Sequence, residues 1–133
     1  MVRDSVAIQL QLWRLWYAMG AVLLIAVATV SLMPAPSTGV NDKLAHLLTY
    51  AVLGGWFALI ARDRVVLAWS IVGLVAYGML IELLQARTGY RFAEWADVLA
   101  NSMGCAAGSL VYFTPLRRLM AYIDGRLISL SGR

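Results

Sequence analysis

The sequence predicts an all-α polytopic membrane protein: a four-transmembrane-helix bundle in a single domain, 1–133. Three observations carry this. Apolar residues make up 62% of the 133 positions and charged residues only 14%, whereas a soluble domain carries about 25% charged residues. The apolar residues gather into four runs of about 20 residues, and at 1.5 Å per residue each run is long enough to cross a hydrocarbon core of roughly 30 Å. Lysine and arginine fall mostly on one side of those runs, as they do in membrane proteins with a fixed orientation.

The first run extends from Trp13 to Met33 and stops at Pro34-Ala35-Pro36, since proline cannot continue a helix. It is longer than the apolar stretch of a signal peptide, and Pro36 after the small residue Ala35 disfavours cleavage, so a retained helix is expected. The second run covers Asp42 to Ala61, the third Val65 to Gln85, and the fourth Phe92 to Phe113, just before Pro115. Barrel strands would need about 10 residues with strict alternation, and these runs are too long and too uniformly apolar. In the tail, 115–133, Leu116, Leu119, Met120 and Ile123 recur at helical spacing with Arg117, Arg118 and Arg126 between them. That pattern suits either an interfacial helix on the inner leaflet or a poorly ordered terminus.

Placing the N terminus inside puts Arg3, Arg14, Arg62, Arg64, Arg117, Arg118, Arg126 and Arg133 on the inner side, against Lys43, Arg87 and Arg91 outside. Eight against three favours cytoplasmic N and C termini and a multi-pass protein of the bacterial inner membrane. Trp13, Trp16, Tyr17, Trp69, Tyr112 and Phe113 then fall near the inner interface, and Tyr90, Phe92 and Trp95 near the outer one. The net charge of +4 reflects this topology. Without a basic stripe interleaved with aromatics, no nucleic-acid partner is expected.

Three helices carry polar residues at helical spacing. Asp42, His46 and Tyr50 follow at i, i+4 and i+8; Glu82 and Gln85 close the third run; Glu94, Asp97 and Asn101 share a face of the fourth. Arg87 and Arg91 lie in the loop between the last two. In the topology above, all of these sit in the outer half of the membrane or at its edge. A charge at a helix centre costs about 2.5–3.5 kcal/mol on insertion scales, so intramembrane ionisable groups mark functional sites by default. Each residue also has a plainer role. Asp42 can cap a helix, Lys43, Arg87, Arg91 and Glu94 can be solvated loop charges, and Asn101 can be interhelical glue. As a group, His46, Glu82 and Asp97 favour a site.

Gly104 and Gly108 form a small-xxx-small pattern that lets the fourth helix approach a neighbour, with Gly54-Gly55 or Gly73 and Gly78 supplying the other side. Packing is the expected role, and a homo-oligomer is compatible with it. The single Cys105 excludes an intramolecular disulfide and reads as a packing residue. The chain has no P-loop, GxSxG, HExxH or CxxC motif. No cofactor and no dedicated metal set is expected. One histidine among carboxylates would suit a divalent cation such as Mg²⁺ or Ca²⁺ better than zinc.

The ordered set Asp42-Lys43-x-x-His46-x-x-x-Tyr50, Glu82-x-x-Gln85, Arg91, Asp97-x-x-x-Asn101-x-x-Gly104-x-x-x-Gly108 resembles the VanZ-like family. The resemblance covers residues 40–113 or so. Family members are small integral membrane proteins, named for a protein of a glycopeptide-resistance cluster that lowers sensitivity to teicoplanin. The resemblance therefore implies a cell-envelope role and, by extension, antibiotic resistance. It implies no known reaction, and Glu94 lies outside its pattern.

Three functions compete. In the first, an outer-face polar pocket binds or remodels a membrane lipid or lipid-linked envelope precursor. Lys43, Arg87 and Arg91 hold an anionic group, the acids and Asn101 orient these cations and bond sugar or peptide groups, and Asp42, Tyr50 and Gln85 are further ligand-binding residues. In the second, the protein is an enzyme acting on a phospholipid or polyprenyl phosphate. His46 is the acid/base, because imidazole changes charge near neutral pH, and Asp97 and Glu82 orient it or hold a cation. In the third, the polar set only locks the helices of a structural partner subunit. A proton-coupled transporter fits less well, since the polar residues stop at one side.

Overall fold

A computed structural model describes residues 9–34, 42–90 and 92–131. Helices are the only regular secondary structure among them. They are α1 (Trp13–Ser31), α2 (Asp42–Ile60), α3 (Arg64–Gln85), α4 (Trp95–Ser109), a 3₁₀ turn (Leu110–Phe113) and α5 (Leu116–Ser131).

Three of these helices, α1, α2 and α3, are long and apolar enough to cross a membrane. The fourth run is α-helical for only 15 residues. It starts at Trp95 rather than Phe92 and tightens into the 3₁₀ turn before Pro115. Its composition differs for a physical reason: Asp97, Asn101, Gly104, Cys105, Gly108 and Ser109 all face inward. This helix is built for contact with other helices more than for contact with lipid. The outer surfaces of α1, α2 and α3 are the reverse, with Ile25, Val30, Val52, Trp69 and Leu83 all well exposed. Apolar residues outside and polar residues inside is the arrangement lipid selects.

Helix α2 is the hub, touching α1, α3, α4 and α5. Its closest partner is α4, and glycines explain how close. A Cβ on Gly104 would run into the carbonyl oxygen of Leu47, and one on Gly108 into that of Ala51. From the other side, a Cβ on Gly54 would meet Cys105 O at 2.5 Å. Backbone lies against backbone along most of this contact.

The remaining ends are tied by specific bonds. Asp63 caps α3, accepting from Val66 N–H at 2.9 Å; this bond leads the effects that lower the Asp63 pKa. The carbonyls left over at the end of α1 are met from α3 and its following loop. Gln85 Nε2 donates to Ser31 O at 2.8 Å and Tyr90 Oη to Leu32 O at 2.5 Å.

The tail through Ser131 is a helix pinned at two points. Asp124 accepts from Gln11 N–H at 2.7 Å, Leu12 N–H at 3.1 Å and Trp16 Nε1–H at 2.7 Å. It therefore satisfies the free donors at the start of α1, where no local side chain caps. Arg117 donates to the Ala61 carbonyl just past α2 and lies 3.9 Å from the Tyr112 ring centroid. An anion at a helix N terminus and a cation at a C terminus both complement the helix dipole. Trp16 and Tyr112 are buried in these contacts and are not lipid-facing belt residues.

Candidate functional site

The polar residues of α2, α3 and α4 meet at one end of the bundle, around His46. On α2 the spacing of Asp42, His46 and Tyr50 lines them along one face, and exposure falls with depth. The side chain of Asp42 is 52% exposed, His46 9% and Tyr50 2%. Helix α4 supplies a parallel descent from Glu94 at 54% to Asp97 at 4% and Asn101 at 1%. Helix α3 contributes buried Glu82. The result is a polar funnel, open at the bundle end and closed below by Tyr50 and the apolar cluster of Leu53, Leu74 and Cys105.

Within it, Asn101 Oδ1 lies 3.0 Å from His46 Nδ1. As the acceptor of that bond, Asn101 places a proton on Nδ1 and turns Nε2 toward the acids. Asp42 Oδ2, Glu82 Oε1 and Asp97 Oδ2 each stand 3.9 Å from Nε2. Lys43 Nζ pairs with Glu94 Oε2 at 2.7 Å and lies 3.8 Å from Asp97 Oδ1. That pairing explains why Glu94, at the N-cap position of α4, makes no side-chain cap bond. Tyr50 Oη and Asn101 Nδ2 are buried without a hydrogen-bond partner among the described residues. Both lie against Gly78, 3.2 and 3.1 Å from where a Cβ would stand there.

A cleft of about 310 Å³ borders the funnel, lined by Met79, Leu83, Ala93, Trp95 and Val98, with Glu82 and Glu94 on its polar side. Glu82 is thus shared between an apolar cleft and the histidine cluster.

The sequence-derived site residues sort into three groups. Asp42, Lys43, His46, Glu82, Asp97 and Asn101 come together, with Tyr50 beneath them. Gln85 is buried but donates to the end of α1. Arg87 is exposed after α3, and no ion pair joins it to the cluster among the described residues. Arg91 lies outside the described residues. Gly54, Gly104 and Gly108 lie in the α2–α4 contact. Sequence reasoning missed Asp124 and Arg117 as structural anchors. Their seven-residue spacing, which puts both on one side of α5 away from Leu119 and Ile123, was the available signal.

Fold and site together define a small helical membrane protein with a histidine–carboxylate cluster at one end of its bundle. The chain belongs to the VanZ/LLP1 family, whose sequence profile matches residues 5–118. An uncharacterized protein of Schizosaccharomyces pombe, C11E3.10, is 30% identical over 93 residues, covering 68% of this chain. The match spans 57% of that relative's length. No solved structure matches the chain.

Proposed function

We propose that this protein binds the head of a membrane lipid or lipid-linked envelope component in the His46 funnel, with the apolar part of the ligand in the adjoining cleft. One observation carries the reading: a cleft of about 310 Å³ with apolar walls meets the polar cluster at Glu82. Ligand sites combine mostly apolar walls with a few convergent polar groups, and this pairing suits an amphiphile. The excess of Lys and Arg at the opposite end of the bundle supports an outward-facing funnel, with four crossings made by α1, α2, α3 and α4 with its 3₁₀ turn. An envelope role follows from family membership; glycopeptide resistance is a narrower extension of it.

The test is native mass spectrometry of purified wild type, His46→Ala and Val98→Trp. The expected result is a specific lipid retained by wild type and lost from both variants, one of which removes the polar centre while the other fills the cleft. The same lipids on all three samples, or none on any, would refute the reading and leave the polar set as a lock between helices. A second reading, catalysis, draws on the oriented His46 ring: Asn101 fixes one nitrogen and leaves the other facing the funnel. A lipid mass that changes only when His46 is intact would support it.

A further inference from the structure

We infer that the funnel holds a divalent cation on His46 Nε2, Asp42 and Asp97. Carboxylates that simply pair with an imidazole approach to hydrogen-bond range, about 2.7–3.2 Å. Here three carboxylate oxygens from three helices stand off at the same 3.9 Å from one nitrogen. That separation suits donors arranged around a common centre rather than bonded to each other. One donor atom each from Asp42, His46 and Asp97 lies within 4.8 Å of the other two. By plane geometry a point then exists within about 2.8 Å of all three, a few tenths of an ångström beyond the 2.0–2.6 Å bonds of divalent cations. Small side-chain rotations close the difference.

Two further observations point to a ligand. Asp97 is almost wholly buried, and its Oδ1 accepts no hydrogen bond among the described residues. The ring of His46 is oriented as metal-binding histidines are, with the nitrogen away from the metal held by a polar partner, here Asn101. The donor set also selects the ion. Two carboxylates against one imidazole favour the carboxylate-binding ions Mg²⁺, Ca²⁺ and Mn²⁺ over the later first-row metals that imidazole suits, and Mn²⁺ is the first-row metal among them. The cation site rests on the cluster alone. Only its use, as the positive centre that an anionic headgroup would bind, rests on the function proposed above.

Electron paramagnetic resonance of Mn²⁺ titrated into chelator-stripped, delipidated protein tests the site without any lipid. The expected result is one bound Mn²⁺ per chain, with affinity at least tenfold weaker in Asp42→Asn and lost in His46→Gln. Asp42 is half exposed at the rim, so Asp42→Asn preserves the fold and remains informative if His46→Gln does not fold. No saturable Mn²⁺ binding by wild type, or equal binding by folded Asp42→Asn, would overturn the inference. Lipid retention measured with and without the chelator separates the two claims. Mn²⁺ binding with no specific lipid would sink only the amphiphile reading, and lipid retention with no Mn²⁺ binding would sink only the cation.

Discussion

Two buried carboxylates in this protein have opposite surroundings. Asp97 has a histidine and a distant lysine, and one of its oxygens receives no hydrogen bond among the described residues. Asp124 receives three hydrogen bonds from α1 and its approach. Burial alone would push the Asp124 carboxyl up, but the bonds from Trp16, Gln11 and Leu12 outweigh it and the net shift is downward. A carboxyl whose pKa is lowered on folding stabilises the folded state above its unfolded pKa, about 3.9. That contribution is lost as the pH falls through the folded value. Asp124→Ala strands buried donors and is expected to cost about 1–3 kcal/mol at pH 7. Thermal unfolding in detergent between pH 3 and 7 should show the difference from wild type shrinking below about pH 4. A difference independent of pH would mean that packing, and not the charge, makes the contribution.

Helix α4 owes its position to two glycines. Alanine at Gly108 would put a methyl group against the Ala51 carbonyl, and backbone on both sides cannot move aside cheaply. Gly108→Ala is therefore expected to destabilise by about 1–3 kcal/mol, the usual cost of overpacking. Gly73 on α3 has open space where a Cβ would stand. Gly73→Ala should be neutral or stabilising by about 0.5–1 kcal/mol, since alanine is the better helix former. Equal effects of the two changes in a thermal unfolding assay would contradict the close-approach account. The same contact carries Asp97 and Asn101 toward His46, so Gly108→Ala should also weaken any ligand of the funnel.

For the molecule as a whole, the polar funnel and the α5 anchors lie at opposite ends of the bundle. Arg117 ties α5 to the end of α2, and Asp124 ties it to the start of α1. Leu116, Leu119, Ile123, Leu127 and Leu130 remain exposed along one stripe of α5, the form of a helix that lies in an interface. If α4 completes a fourth crossing, the chain ends on the side where it began. Single cysteines at Thr88 and at Ser129, in a Cys105→Ala background, test this in intact cells with a membrane-impermeant thiol reagent. Labelling at 88 and protection at 129 is the expected result. Labelling at both positions would mean that the chain crosses the membrane an even number of times between them, so that α4 makes no crossing.

Much of this architecture was legible in the sequence because lipid imposes simple rules. Long apolar runs become helices when no water is present to satisfy the backbone, and the i, i+4 spacing of Asp42, His46 and Tyr50 places them on one face whatever the neighbours are. The small-xxx-small pattern announced a close helix contact. Which helix would be met was settled only in three dimensions, because Leu47, Ala51 and Gly54 become partners of α4 through backbone proximity that no local pattern encodes. Gln85 looked like a member of the polar site from its distance to Glu82, but three residues rotate a side chain far enough to reach the end of α1 instead. Asp124 and Arg117 were least legible of all. Their partners lie 56 to 113 positions away and, the Trp16 indole apart, are backbone groups, and a hydrogen bond to a main-chain atom leaves no mark on the identity of the residue that provides it. Composition and periodicity determined the solvent and the helices. Tertiary structure decided which polar groups share a site, because burial of a charge depends on what surrounds it in space and not on what precedes it in the chain.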